Sequence, residues 1–122
     1  MPELVELQRR AHYRLRYPED ASDDAPSVFI NGQRFRLLEL AEGGARIQSD
    51  GDDDLLLGKP IGGEIQYPGQ GVDAFEATVL RIDRPLIVLR FQVPIGFKRM
   101  LDEQRRMISK YPQYYRPTRI ST

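Results

Sequence analysis

The sequence predicts a mainly β protein, a small antiparallel β-barrel of about six strands in Greek-key-like order, followed by a C-terminal α-helix. Three observations carry this expectation. Apolar and aromatic residues fill several short strand-like runs, some with a strict two-residue alternation. Gly, Pro and Asn-Gly turns separate those runs at short spacing. The apolar period lengthens to that of a helix only in the last third. A chain of 122 residues is the length of one ordinary domain. Its expected organisation is a lead-in over 1–8, a barrel over 9–93, a helix over 94–111 and a tail over 112–122.

The first strand is read from "YRLRY", Tyr13 to Tyr17, whose alternation sets Arg14 and Arg16 on one face and Tyr13, Leu15 and Tyr17 on the other. Pro18 and an acidic loop end it. A hairpin follows, "SVFI" and "QRFRLLEL" around Asn31-Gly32, a pair suited to the two positive φ angles of a type I′ turn. Gly43-Gly44 reads as a turn or bulge joining two further strands. "GGEIQYP", "AFEATVLRID" and "LIVLRFQV" supply the remaining strands.

In the last third, Met100, Leu101, Gln104, Met107, Ile108 and Tyr111 share a helical stripe. Lys98, Arg99, Asp102, Glu103, Arg105, Arg106 and Lys110 take the opposite side. Pro94 and Pro112 mark the ends. Met100, Met107 and Tyr111 are expected in the core, and the tail "QYYRPTRIST" is expected to be extended and partly disordered.

Composition removes several function classes. Cysteine is absent and there is one histidine, His12, so thiolate chemistry and a His-rich metal site are excluded. Asp50, Asp52, Asp53 and Asp54 do not keep the spacing of a calcium loop and read as a solvated loop. No apolar run reaches the ~20 residues of a membrane span, and no secretion signal is legible, so a cytoplasmic location without membrane insertion is expected. Eighteen basic residues balance eighteen acidic ones. A bulk binder of DNA or RNA would be basic overall.

The charge is nevertheless segregated. Arg9, Arg10, His12, Arg14 and Arg16 fall within eight residues that hold no acid, and 15 of the 18 basic residues are Arg. Arginine's planar fork binds phosphate or the guanine O6/N7 edge in bidentate fashion and stacks on flat rings.

Arg9-Arg10 with Arg14 resembles the RRxxxR element that opens PilZ domains, bacterial receptors for the second messenger cyclic di-GMP. The family's second element, (D/N)xSxxG, corresponds here to "ELAEGG", Glu39 to Gly44, followed by "ARI". "LGKPIGGEIQYPG", "TVLRID", "VLRF" and "IGFKRMLDEQRRMISKYP" are also similar to single-domain PilZ proteins, so the resemblance spans roughly residues 8–112.

The resemblance implies a cyclic di-GMP site built from Arg9, Arg10, Arg14, Glu39, Ala41 and Gly44, with no catalytic residue, metal or cofactor. It implies relay to an effector protein in motility, biofilm or polysaccharide control, while the stripe of Met100, Met107 and Tyr111 allows a homodimer as one assembly. Glu39 stands where the family has Asp or Asn, and Ala41 where it has Ser. The carboxylate can still accept from the guanine N1–H and N2–H₂ edge, whereas Ala41 loses one neutral hydrogen bond, worth about 0.5–1.5 kcal/mol. Binding is expected to weaken rather than vanish.

Two rival classes follow. A PilZ-like adapter that no longer binds nucleotide is compatible with Ala41. A binder of single-stranded nucleic acid needs a continuous basic groove, which the acids at 19–24 and 50–54 interrupt.

Overall fold

Alternation becomes seven strands and one helix in the computed structural model, which describes residues 14–21 and 23–115. The strands are β1 (Arg14–Arg16), β2 (Ser27–Ile30), β3 (Gln33–Ala41), β4 (Gly44–Gln48), β5 (Pro60–Tyr67), β6 (Gly71–Asp83) and β7 (Leu86–Phe91). The helix α1 spans Phe97–Lys110. Arg9 and Arg10 lie outside the described residues.

All pairings are antiparallel. β2, β3 and β4 form one meander and β5, β6 and β7 a second. β5 returns beside β2 while β7 pairs with β4, which closes six strands into a barrel in Greek-key order. β1 is the extra strand, paired to the end of β3 on the edge that β2 uses nearer the start. Closure leaves the inward residues no solvent. Leu15, Val28, Leu37, Ile47, Ile65, Ile87 and Leu89 are buried together.

The Asn31-Gly32 turn forms as expected, with φ of 53° and 77°. The next turn is shifted by one residue from expectation. Ala41 pairs with Gly44, so Glu42 and Gly43 make the turn and Gly44 opens β4. Neither Gly43 nor Gly44 has positive φ. Gly44 is constrained by close approach instead, because a Cβ there would lie 2.3 Å from the Leu89 carbonyl oxygen.

α1 starts at Phe97 rather than at Pro94, because Gly96 is still extended, with φ −64° and ψ 148°, and caps the helix; the preceding Ile95 donates its N–H to the Glu42 carbonyl at 2.8 Å. It ends at Lys110, with Tyr111 as its cap. Met100, Gln104 and Met107 of the predicted stripe are buried, Tyr111 is partly buried against the core, and Ile108 is exposed. Glu103, expected on the solvent side, is fully buried. No helix among the described residues is long and apolar enough to cross a membrane. The tail is described as far as Tyr115, which packs against the core and donates its hydroxyl to the Arg16 carbonyl.

The acidic loop departs from expectation at one residue. Asp50, Asp52 and Asp54 are exposed or nearly so, but the Asp53 side chain is buried. Arg84 grips both its oxygens, at 2.7 and 3.2 Å, Ser49 donates its hydroxyl and Leu55 its N–H. The Arg84 hydrogen bonds, against opposition from burial, hold the Asp53 carboxyl well below the usual carboxylate range. Unfolding lets that group bind protons it refuses when folded. Its contribution is therefore complete above the ordinary Asp pKa of about 4 and is lost as pH falls towards the folded value. Urea denaturation should show Asp53→Asn destabilised by about 1.5–3 kcal/mol at neutral pH, with a flatter decline of stability in acid than the parent. Parallel acid profiles would count against this role.

Candidate ligand site

The register of four neighbouring strands assembles the site on the outer face of the barrel. Arg14 of β1 lies opposite Ala41 of β3, Ala41 opposite Gly44 of β4, and Gly44 opposite Arg90 of β7. One row over, Arg16, Glu39, Arg46 and Val88 follow in the same strand order. Rows two residues apart share a face of the sheet. The small residues Ala41 and Gly44 thus form a low floor, with arginines at either end.

All of these residues except Arg16 line a cavity of about 250 Å³ together with Leu80 of β6. Four of the six predicted positions, Arg14, Glu39, Ala41 and Gly44, come together there. The other two, Arg9 and Arg10, precede β1 outside the described residues. Arg46 and Arg90 are contributions that the motif does not include.

Three arginines, Arg14, Arg46 and Arg90, and one carboxylate, Glu39, line this cavity. Glu39 is buried, with Arg46 Nε at 3.3 Å from Oε1 and Arg14 Nε at 3.9 Å from Oε2. A carboxylate between two arginines limits where their forks can point, which suits a site that must meet an anion of fixed shape. The Arg14 side chain remains 55% exposed and the Arg46 side chain 39%. Both can turn towards a ligand with most of their donors free.

A larger cavity, of about 630 Å³, lies between β6 and the start of α1. Its arginine is engaged, since Arg99 bonds Asp73 at 2.9 Å and covers the Tyr67 ring at 4.1 Å, and Lys98 bonds Asp102 at 2.9 Å. Glu76 adds a further acid to its lining. That balance does not favour an anionic ligand.

The floor of the arginine cavity is tied to the helix. The Phe91 N–H is donated to Gly43 and the Ile95 N–H to Glu42, each at 2.8 Å, so the turn after β3 is bonded to the segment that leads into α1. On the other side, Tyr17, the residue after β1, donates its hydroxyl to Glu103 at 2.6 Å. Burial, then the adjacent Glu103 carboxylate, pushes the Tyr17 hydroxyl well above the usual phenol range, which keeps it a donor. Arg106 closes the group with bonds of 2.8 and 3.0 Å to Glu103 and one of 2.8 Å to the Asp24 carbonyl.

Residues 8–110 match the family model of the PilZ domain. Among solved structures, the chain is similar to the PilZ domain with cyclic di-GMP of YcgR from Escherichia coli. That match has 21% identity and a TM-score of 0.65, and covers 86% of this chain and 98% of that one. The structure of YcgR in complex with cyclic di-GMP, also from Escherichia coli, gives 23% identity and a TM-score of 0.55, covering 87% of this chain and 47% of the other. The uncharacterized Legionella protein Lpg0364 gives 15% and 0.59, covering 83% and 99%. These likenesses establish the fold. No curated protein sequence matches this chain.

Proposed function

This chain belongs to the PilZ domain family, and on that premise we propose that it is a cyclic di-GMP receptor that relays ligand occupancy to a partner protein. The observation that carries the reading is the convergence of Arg14, from a separate part of the sequence, with Glu39, Ala41 and Gly44 on one cavity to which Arg46 and Arg90 add charge. Arg14, with Arg9 and Arg10 from the preceding segment, engages phosphate and guanine. Arg46 and Arg90 complement the phosphates across the floor. Glu39 positions Arg14 and Arg46 and offers its carboxylate to a guanine edge. The missing hydroxyl at Ala41 weakens binding about threefold to tenfold.

The relay runs through the ties between site and helix. A ligand that shifts the Glu42-Gly43 turn or β1 changes the energies of two connections to α1, and a partner reading α1 responds if it prefers one arrangement. The ligand is a signal rather than a substrate, and the proposed sites include no catalytic residue. An adapter that has lost nucleotide binding is the second reading, favoured by Ala41 alone.

Calorimetric titration with cyclic di-GMP, with GTP as control, tests the proposal. Saturable binding is expected, with Arg14→Ala or Arg10→Ala weakening it about tenfold to 150-fold, the worth of a lost charge-assisted hydrogen bond. Folded protein that gives no heat at high micromolar ligand sinks the receptor reading and leaves the adapter.

A further inference from the structure

Leu80 occupies an irregular place in an otherwise regular ladder. β6 pairs with β7 residue for residue up to Val79 opposite Leu89, and pairing resumes with Arg81 opposite Val88. Leu80 is the extra residue of this β-bulge. Bulges re-aim side chains, and they recur beside functional sites. Here Val79 stays fully buried while Leu80 is turned out of the core, 53% exposed, to line the arginine cavity.

The backbone just before it is firmly held. Val79 accepts from the Gly58 N–H at 2.7 Å and donates to the Lys59 carbonyl at 3.0 Å. Val88, which stands between Arg46 and Arg81 in register, continues the apolar surface. The rest of the lining is guanidinium, carboxylate, small side chain or backbone, and no aromatic ring among the described residues contributes. A ligand with both phosphates and bases needs an apolar face as well as charge, since pockets combine apolar area with a few polar anchors. Leu80 with Val88 is where this cavity supplies it.

We propose, resting on the cyclic di-GMP reading above, that Leu80 is the platform on which one purine base of the ligand lies, and that it sets a preference for purine over pyrimidine bases. The arginines then locate the phosphates, and the bulge fixes how far from them a base can settle. A larger ring system covers more of the leucine than a pyrimidine does, and the gain scales with the apolar area covered.

The test is calorimetric titration of the full chain and of Leu80→Ala, Leu80→Asp and Leu80→Phe with cyclic di-GMP, cyclic di-UMP and inorganic pyrophosphate. Melting curves confirm that each exposed-site variant is folded. Leu80→Ala is expected to weaken cyclic di-GMP about fivefold to tenfold, Leu80→Asp by more, and Leu80→Phe to match or exceed the parent. Cyclic di-UMP should bind more weakly than cyclic di-GMP to the parent and lose less on Leu80→Ala, and pyrophosphate should be indifferent to Leu80→Ala. Parent-like affinity in both Leu80→Ala and Leu80→Asp overturns the platform alone. Equal losses for pyrophosphate and cyclic di-GMP in Leu80→Ala also overturn it, because the side chain then acts on charge or fold. Absence of cyclic di-GMP binding by the parent chain overturns the receptor reading and the platform together.

Discussion

Glu103→Ala is expected to destabilise the protein by about 3–5 kcal/mol, the usual cost of removing one partner from a buried ion pair. The carboxylate is completely buried and accepts from the Tyr17 hydroxyl and twice from Arg106. Its loss leaves the part-buried Arg106 guanidinium, whose Nη1 lacks a partner, with only the Asp24 carbonyl, and strands a buried phenol. The melting temperature should fall by roughly 10–20 °C.

A triple variant, Tyr17→Phe with Glu103→Leu and Arg106→Met, separates charge from packing. Replacing all partners by apolar groups of similar volume removes the stranded charge and should recover most of the loss. If Glu103→Ala costs less than about 1 kcal/mol in urea titration, the clamp is not a load on the fold and the helix is held by Met100 and Met107 instead.

The second large effect concerns adjacent glycines. Gly44→Ala should cost about 3 kcal/mol, while Gly43→Ala should change stability by no more than about 0.5 kcal/mol. The chemistry of the substitution is identical; the surroundings are not. A Cβ on Gly44 would meet the Leu89 carbonyl oxygen at 2.3 Å, and that oxygen is backbone held in the β4–β7 ladder. A Cβ on Gly43 meets nothing within 4 Å. Accommodating the first forces β4 away from β7, at a seam that closes the barrel and in the floor of the ligand cavity. Denaturation of both variants decides the matter, and cyclic di-GMP titration below the melting range of Gly44→Ala should show affinity lost as well. Equal stabilities would mean that the two strands part freely there.

The barrel was legible because its signals are local. "SVFI-NG-QRFRLLEL" states a hairpin within fourteen residues, and the helical stripe of Met100, Gln104 and Met107 repeats within two turns. The burial of Glu103 is not legible, because a charged residue reads as solvent-facing unless its partner is known, and Tyr17 lies 86 positions away. Asp53 and Arg84 are concealed by the same kind of distance, 31 positions.

The site divides the same way. Arg14, Glu39, Ala41 and Gly44 came from motif spacing. Arg46 was within reach of hairpin arithmetic, because a turn at Glu42-Gly43 puts it opposite Glu39, but a turn read at Gly43-Gly44 hides that pairing. Arg90 and Leu80 could not be read at all, since they join the cavity through the β4–β7 pairing and a bulge, neither of which leaves a local signal.

The ties between β1 and the far end of the chain also set an order of events in biosynthesis. Arg14 is made early, yet the strand that carries it is secured by Glu103 on Tyr17 and by Tyr115 on the Arg16 carbonyl. Contacts across such sequence separations form late in folding, because the loop must close before they repay it. A nascent chain that has emerged only as far as β7 can pair its barrel strands while its arginine strand still lacks both anchors. The arginine strand is thus fully anchored only once the helix has been made and docked.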